Sequence, residues 1–221
     1  MRNSCTAVVY NRGMDNKAPS HIELSSSDLD QAIIDFTNWT QEAWFPHLGD
    51  QRMSAQASDL FVMSLGLGGE VGEVLEAVAK NDRALIKKEL GDVIYYWGRL
   101  AQNHNLDVQS LLEVARENDK ASNPMVAVLT LGAQMGRVQD VIKKGERDGG
   151  MDDAGFAQAM GKGLGCWLDV ADLYEIEPVQ ILQGCVDKII SRHKTGKLRG
   201  SDTPDGDRVL NKSGSRKTTP G

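Results

Sequence analysis

Aromatic residues make up only 5% of this 221-residue chain, prolines number six and cysteines three. The cysteines, Cys5, Cys166 and Cys185, are odd in number, widely spaced and form no C-x-x-C pair. That argues against a disulfide framework or a thiolate zinc site and fits reduced thiols in an intracellular protein. No uninterrupted apolar run approaches the ~18 residues of a membrane span. The N-terminal segment offers only "AVVY", too short for a signal-peptide core, so a cytoplasmic protein is expected. Positive charge is not in excess: 25 Lys and Arg stand against 31 Asp and Glu, a net charge of −6. A protein whose main work is gripping nucleic-acid backbone is therefore not expected. The one basic concentration, Arg192, His193, Lys194, Lys197, Arg199 and Arg208, suffices for a small phosphate ligand. Alternating strand-type runs of useful length are missing as well, and the expected class is all-α.

What the chain does contain is helical periodicity. Hydrophobic content of 40% and charged content of 25% suit a globular protein. Residues 1–26 and 200–221 are polar and rich in Gly, Ser, Thr and Pro, and read as flexible ends. Ser27 or Asp28 can cap a first helix to about Ala43, with Ile33, Ile34, Phe36 and Trp39 on its apolar side. A second helix is predicted over about 54–80, its apolar positions stepping by three and four from Leu60 to Val78. Asn81-Asp82 breaks it, a third helix follows over about 83–103, and Asp107 caps a fourth over about 108–120.

The chain then repeats itself. "GEVGEVLEAV" (69–78) aligns with "GRVQDVIKKG" (136–145), and "GDVIYYWGRLAQNHNLDVQSLL" (91–112) with "GKGLGCWLDVADLYEIEPVQIL" (161–182). The second pairing matches Gly91 to Gly161, Trp97 to Trp167, Ala101 to Ala171 and Leu112 to Leu182. The identities are sparse, and chance likeness of two amphipathic helix pairs stands beside duplication. Read as duplication, one half covers 27–120 and a degenerate half 124–199, joined at "ASNP" (121–124).

Four acids stand out. Glu70 and Glu73 are one turn apart on the second helix, and Glu89 and Asp92 have the same relation on the third. If these helices pack antiparallel, the two pairs can meet. Converging carboxylates in a poorly solvated site take up protons or hold cations, and hard oxygen ligands suit Mg²⁺ or Mn²⁺. None of the four has a basic residue at i+4, whereas Glu76 has Lys80 there and reads as a surface pair. From spacing alone, a metal site and a set of solvated surface acids both stay open. The surrounding "LGLGGEVGEVLEA" (65–77) is no phosphate loop: G-x-G-x-x-G would need glycine where Val71 stands, and a Walker A motif needs Gly-Lys. It reads as a helix whose glycines thin one surface, so that a neighbouring helix or metal-bound phosphates come close.

E-x-x-E followed after fifteen residues by E-x-x-D, with "GEVLEA" and "KKELGDVIYYWGRLA" around the acids, resembles the all-α nucleoside triphosphate pyrophosphohydrolases of the MazG and dimeric dUTPase group. The resemblance covers about residues 28–120 and, through the repeat, runs more faintly to about 208. It implies a MazG-like helical bundle hydrolysing an NTP or dNTP to the monophosphate and pyrophosphate. It further implies that Glu70, Glu73, Glu89 and Asp92 hold Mg²⁺ (or Mn²⁺), two or three ions per site, with Glu73 orienting or deprotonating the attacking water. Tyr96, one turn beyond Asp92, and Trp44 are candidates for sugar or base contact, with Trp39 equally placed by position. Lys120, Lys188 and Arg192 are candidates for the phosphates, although a surface lysine and a cationic helix end read equally well at those places. The base stays open; a guanine-type purine dNTP is the working expectation, and a diphosphate also fits.

At the aligned positions of the second half stand Arg137, Asp140, Ala159 and Lys162, which cannot build the same metal site. The expected architecture is thus a tandem degenerate repeat forming a pseudo-dimer in one chain, pairing again as a homo-oligomer, a dimer of pseudo-dimers. Di-iron bundle chemistry needs Glu-x-x-His, and no histidine here has a glutamate three residues before it. An HD-type phosphohydrolase needs adjacent His-Asp, which is also missing. The rival from another class is a non-catalytic helical interaction module or regulatory nucleotide-binding protein.

Overall fold

Among the described residues seven helices form where apolar periodicity runs, several of them behind a capping side chain. The computed structural model describes residues 19–43 and 55–195, and among these no strand occurs. Trp44, Cys5 and the basic residues Lys197, Arg199 and Arg208 lie outside them, as do most of the two terminal stretches read as flexible. The elements are α1 (Leu29–Ala43), α2 (Ala55–Lys80), α3 (Arg83–Asn103), α4 (Val108–Arg116), α5 (Pro124–Asp148), α6 (Asp153–Leu173) and α7 (Pro178–Lys194). The chain is all-α.

Local chemistry explains the boundaries. Asn81 turns with φ 52°, and Asp82 caps α3 by accepting from the Leu85 amide. Asp107 accepts from the amides of Gln109 and Ser110 to start α4, which ends at Arg116, a turn short of the expected Lys120. Asn123 caps α5 with Pro124 in its first turn, and Gly149, at φ 77°, closes it in the left-handed conformation that glycine adopts without penalty. Asp152 caps α6 through the Gly155 amide.

Packing brings the helices together in a crossed pattern. The α2–α3 hairpin packs against the α5–α6 hairpin through α2 and α5. The fourth helix leaves its own hairpin and packs on α6, while α7 packs on α3. One core runs throughout, with Ile86, Leu90, Ile94, Trp97, Phe156, Leu164 and Trp167 among its buried members. Residues 20–24, inside the stretch read as flexible from composition, are tied to α1 and α7. Trp39 Nε1 donates to Ser20 O at 2.7 Å, and Gln183 pairs with the Leu24 amide at 3.0 Å and Ile22 O at 3.1 Å.

Several local features of α3 and the turn after it recur in α6 and the turn after it. Trp97 Nε1 donates to Met160 O at 3.0 Å, and Trp167 Nε1 donates to Leu90 O at 2.9 Å. Asn105 and Glu175 carry the same positive φ, 51° and 53°, after α3 and α6. The Leu106 amide reaches Ala101 O, and the Ile176 amide Ala171 O, each at 2.9 Å.

Candidate metal centre

Antiparallel packing of α2 on α3 sets the acids together. One carboxylate oxygen each from Glu70, Glu73 and Glu89 falls within 4.8 Å of the others. Their settings differ: Glu73 is exposed, Glu70 half-buried, and Glu89 only 2% exposed. Asp92, one turn further along α3, is also buried. Burial first, then the negative charges of Asp92, Glu73 and Glu89, push the Glu70 carboxyl up to about 7, against the opposing pull of Lys188. A group so placed is short of positive charge.

Two lysines supply part of it. Lys88 Nζ donates to both oxygens of its neighbour Glu89, at 2.9 and 3.2 Å. Lys188, from α7, donates to Asp92 Oδ1 across 96 residues of chain. These two ammonium groups pair with Glu89 and Asp92. The three converging acids offer hard oxygen donors from two helices, a set able to hold a metal ion.

The flank of the acids is a groove of ≈ 240 Å³ between α3 and α7, lined by Lys87, Lys88 and Lys188 with Gly91, Gly184 and Cys185. Cys185 is fully buried, and its thiol is pushed far up by burial, then by Asp92 and Glu70, with Lys188 and Arg192 opposing. Arg192 therefore lies within electrostatic reach of the same neighbourhood.

The glycines of "LGLGGEVGEVLEA" divide into two kinds. At Gly66 a Cβ would stand 2.5 Å from the Tyr96 ring, and at Gly68 it would strike the Gln139 amide, which itself donates to Ser64 O at 2.8 Å. Those two admit neighbours. Gly69 and Gly72 have nothing within 4 Å of such a Cβ among the described residues, so none of the described helices fills the space beside these two glycines.

The remaining candidates separate. Tyr96 lies across Gly66 and meets Tyr95 edge-on, ring centroids 5.6 Å apart. Trp39 is buried in the core beside Phe36, and Trp44 lies outside the described residues. Lys120 pairs with Asp172 at 3.1 Å and lines a different cleft of ≈ 680 Å³, between the ends of α4 and α6, that holds none of the four acids. Lys87 and Lys88 were missed by sequence reasoning. Their only signal was their place in "KKEL", directly before Glu89.

Residues 62–120 match the family model of the MazG nucleotide pyrophosphohydrolase domain. Over that span, from α2 to just past α4, the chain is MazG-like. The matched span holds all four acids and ends before α5, so the half that supplies Lys188 lies beyond it. No curated protein and no solved structure matches the chain. No helix among the described residues is long and apolar enough to cross a membrane.

Proposed function

We propose that the MazG-like domain makes this chain a metal-dependent nucleotide pyrophosphohydrolase, converting a nucleoside or deoxynucleoside triphosphate and water to the monophosphate and pyrophosphate. The observation that carries the reading is the convergence of Glu70, Glu73 and Glu89 within 4.8 Å, with Asp92 beside them. Glu70, Glu73, Glu89 and Asp92 would hold Mg²⁺ or Mn²⁺. Such an ion, when bound, offsets charge on the phosphate oxygens and lowers the pKa of a coordinated water. Glu73, the most exposed of the three converging acids, would orient a water and accept its proton. Lys188 and Arg192, with Lys88, would meet the leaving phosphates from the α3–α7 groove as point charges. Tyr96 would contact the sugar or base. Trp44 would also contact the base, by its sequence position, whereas Lys120 pairs with Asp172 in another cleft.

The two halves are read as a pseudo-dimer, supported by the reciprocal tryptophan hydrogen bonds. The crossed packing then gives the second half a role in the first half's site, through Lys188. A further pairing into a homo-oligomer, a dimer of such pseudo-dimers, is part of the same reading.

The test is pyrophosphate release from a panel of NTPs and dNTPs with Mg²⁺ or Mn²⁺. Turnover of at least one is expected, falling by about 10²-fold or more in Glu73→Gln with its melting transition retained. A folded protein without turnover on the whole panel, with either metal, would sink the proposal and favour the interaction-module reading.

A further inference from the structure

The second half turns the chemistry of the metal site around. Glu70, Glu73, Glu89 and Asp92 correspond to Arg137, Asp140, Ala159 and Lys162. The one acid kept is already taken: Asp140 pairs with Lys143 at 2.5 Å and Lys144 at 2.6 Å, whose hydrogen bonds hold its carboxyl down at about 2. Even the counterpart of Lys188 is changed, to Asn118, whose amide nitrogen donates to the backbone oxygen of Lys162 at 2.8 Å.

Two cations are left without partners there. Neither the exposed Arg137 side chain nor the half-buried Lys162 ammonium has a hydrogen-bond or ion-pair partner among the described residues. Gln134, one turn before Arg137, is buried. Its Cβ lies 3.8 Å from where a Cβ on Gly163, the residue after Lys162, would stand, so this turn of α5 and the Lys162 turn of α6 sit at one level. Lys143 and Lys144 thus take up Asp140, and Arg137 and Lys162 stand without a carboxylate of their own among the described residues. An anion would meet donors from two helices here, the Arg137 guanidinium on α5 and the Lys162 ammonium on α6. A guanidinium fork with flanking ammonium groups matches phosphate oxygens.

We propose that this charge-inverted surface of α5 and α6, centred on Arg137 and Lys162, binds a phosphate-chain anion without a metal ion. The anion is inorganic pyrophosphate or the phosphate chain of a nucleotide. The correspondence between the halves rests on the pseudo-dimer reading, but the binding does not depend on catalysis by the first half.

The test is calorimetric titration of the full chain in EDTA with inorganic pyrophosphate, a nucleoside triphosphate and the matching nucleoside. Saturable binding of pyrophosphate that weakens with added salt is expected, about tenfold weaker in Arg137→Gln and in Lys162→Gln, each checked for an unchanged melting transition. Glu73→Gln leaves it unchanged, which separates this site from the acids even if the enzyme reading fails. Equal affinity for pyrophosphate and triphosphate marks the phosphate chain as the ligand. A tighter triphosphate marks a nucleotide, and binding by the nucleoside alone overturns the proposal. So do an absence of saturable binding in EDTA, affinity unchanged in the Arg137→Gln, Lys162→Gln double variant, or loss of binding in Lys188→Met instead.

Discussion

Lys188 is the side chain on which the two halves depend most directly. Its ammonium meets the buried Asp92 carboxylate, and both side chains are mostly out of water, at 22% and 12% exposure. Removing one partner of such a pair leaves a buried charge among like charges. Lys188→Met should lower the metal-free stability by about 1–3 kcal/mol in urea denaturation. Saturating Mg²⁺ should narrow that deficit, because a cation among the acids restores the missing positive charge. A deficit equally large with and without Mg²⁺ would show that Lys188 serves packing alone. His104 gives a second handle at this scale. Its ring lies against Phe156, centroids 4.5 Å apart, and its Nε2 is buried without a partner. Burial lowers its pKa from the ordinary 6.5, with Asp153 opposing. The unfolded chain therefore takes up the proton first, so stability is lost as pH falls below 6.5 and is unaffected by this group above it. His104→Leu should flatten the stability profile between about pH 7 and 5; an unchanged slope would place the acid sensitivity elsewhere.

Helices were the most legible part of the sequence, because period and caps are local properties. Asp82, Asp107 and Asn123 each accept a hydrogen bond from an amide two or three residues on, and the elements begin where those residues stand. The acid pairs were legible for the same reason: an i,i+3 relation and a short break suffice to bring Glu70 and Glu73 near Glu89. The function of a helical glycine is not local, since only its neighbours decide whether a Cβ fits. At Gly161 a Cβ would stand 2.6 Å from Val114 Cβ and 3.1 Å from Leu111 O, neither free to swing away. Gly161→Ala should therefore destabilise the fold, forcing α4 off α6. Gly72, with open space around it, should gain about 0.5–1 kcal/mol of helix stability as alanine. Thermal melts of the two variants are expected to move in opposite directions. A stabilised Gly72→Ala that lost pyrophosphate release would indicate that the open face beside Glu73 is used by substrate; retained activity would leave that space to solvent.

At the scale of the whole molecule, the crossing of α4 and α7 was beyond what the sequence could convey. Amphipathic spacing says which face of a helix is buried, not which helix buries it, and Lys188 reaches Asp92 over 96 residues. The repeat hinted at two like halves, yet it carried no sign that each half's last helix covers the other's hairpin. The consequence is that α4 buries surface on α6 and α7 buries surface on α3. Without α5, α6 and α7, the apolar face of α4, with Leu111, Leu112 and Ala115, would lose the surface it packs on, and Trp97 Nε1 would lose Met160 O. Each exposed leucine forgoes about 1.5–3 kcal/mol of burial, several times what a short helix recovers by itself. A fragment ending at Asn123 keeps all four acids and the whole MazG match, but should show no cooperative thermal unfolding as a monomer. If it folds at all it should do so as a self-associated species, one copy's α4 covering the other's α3. Sedimentation combined with circular dichroism decides this. A monomeric fragment that melts cooperatively would mean that α4 can fold back on its own hairpin and that the crossing is not what holds the site together.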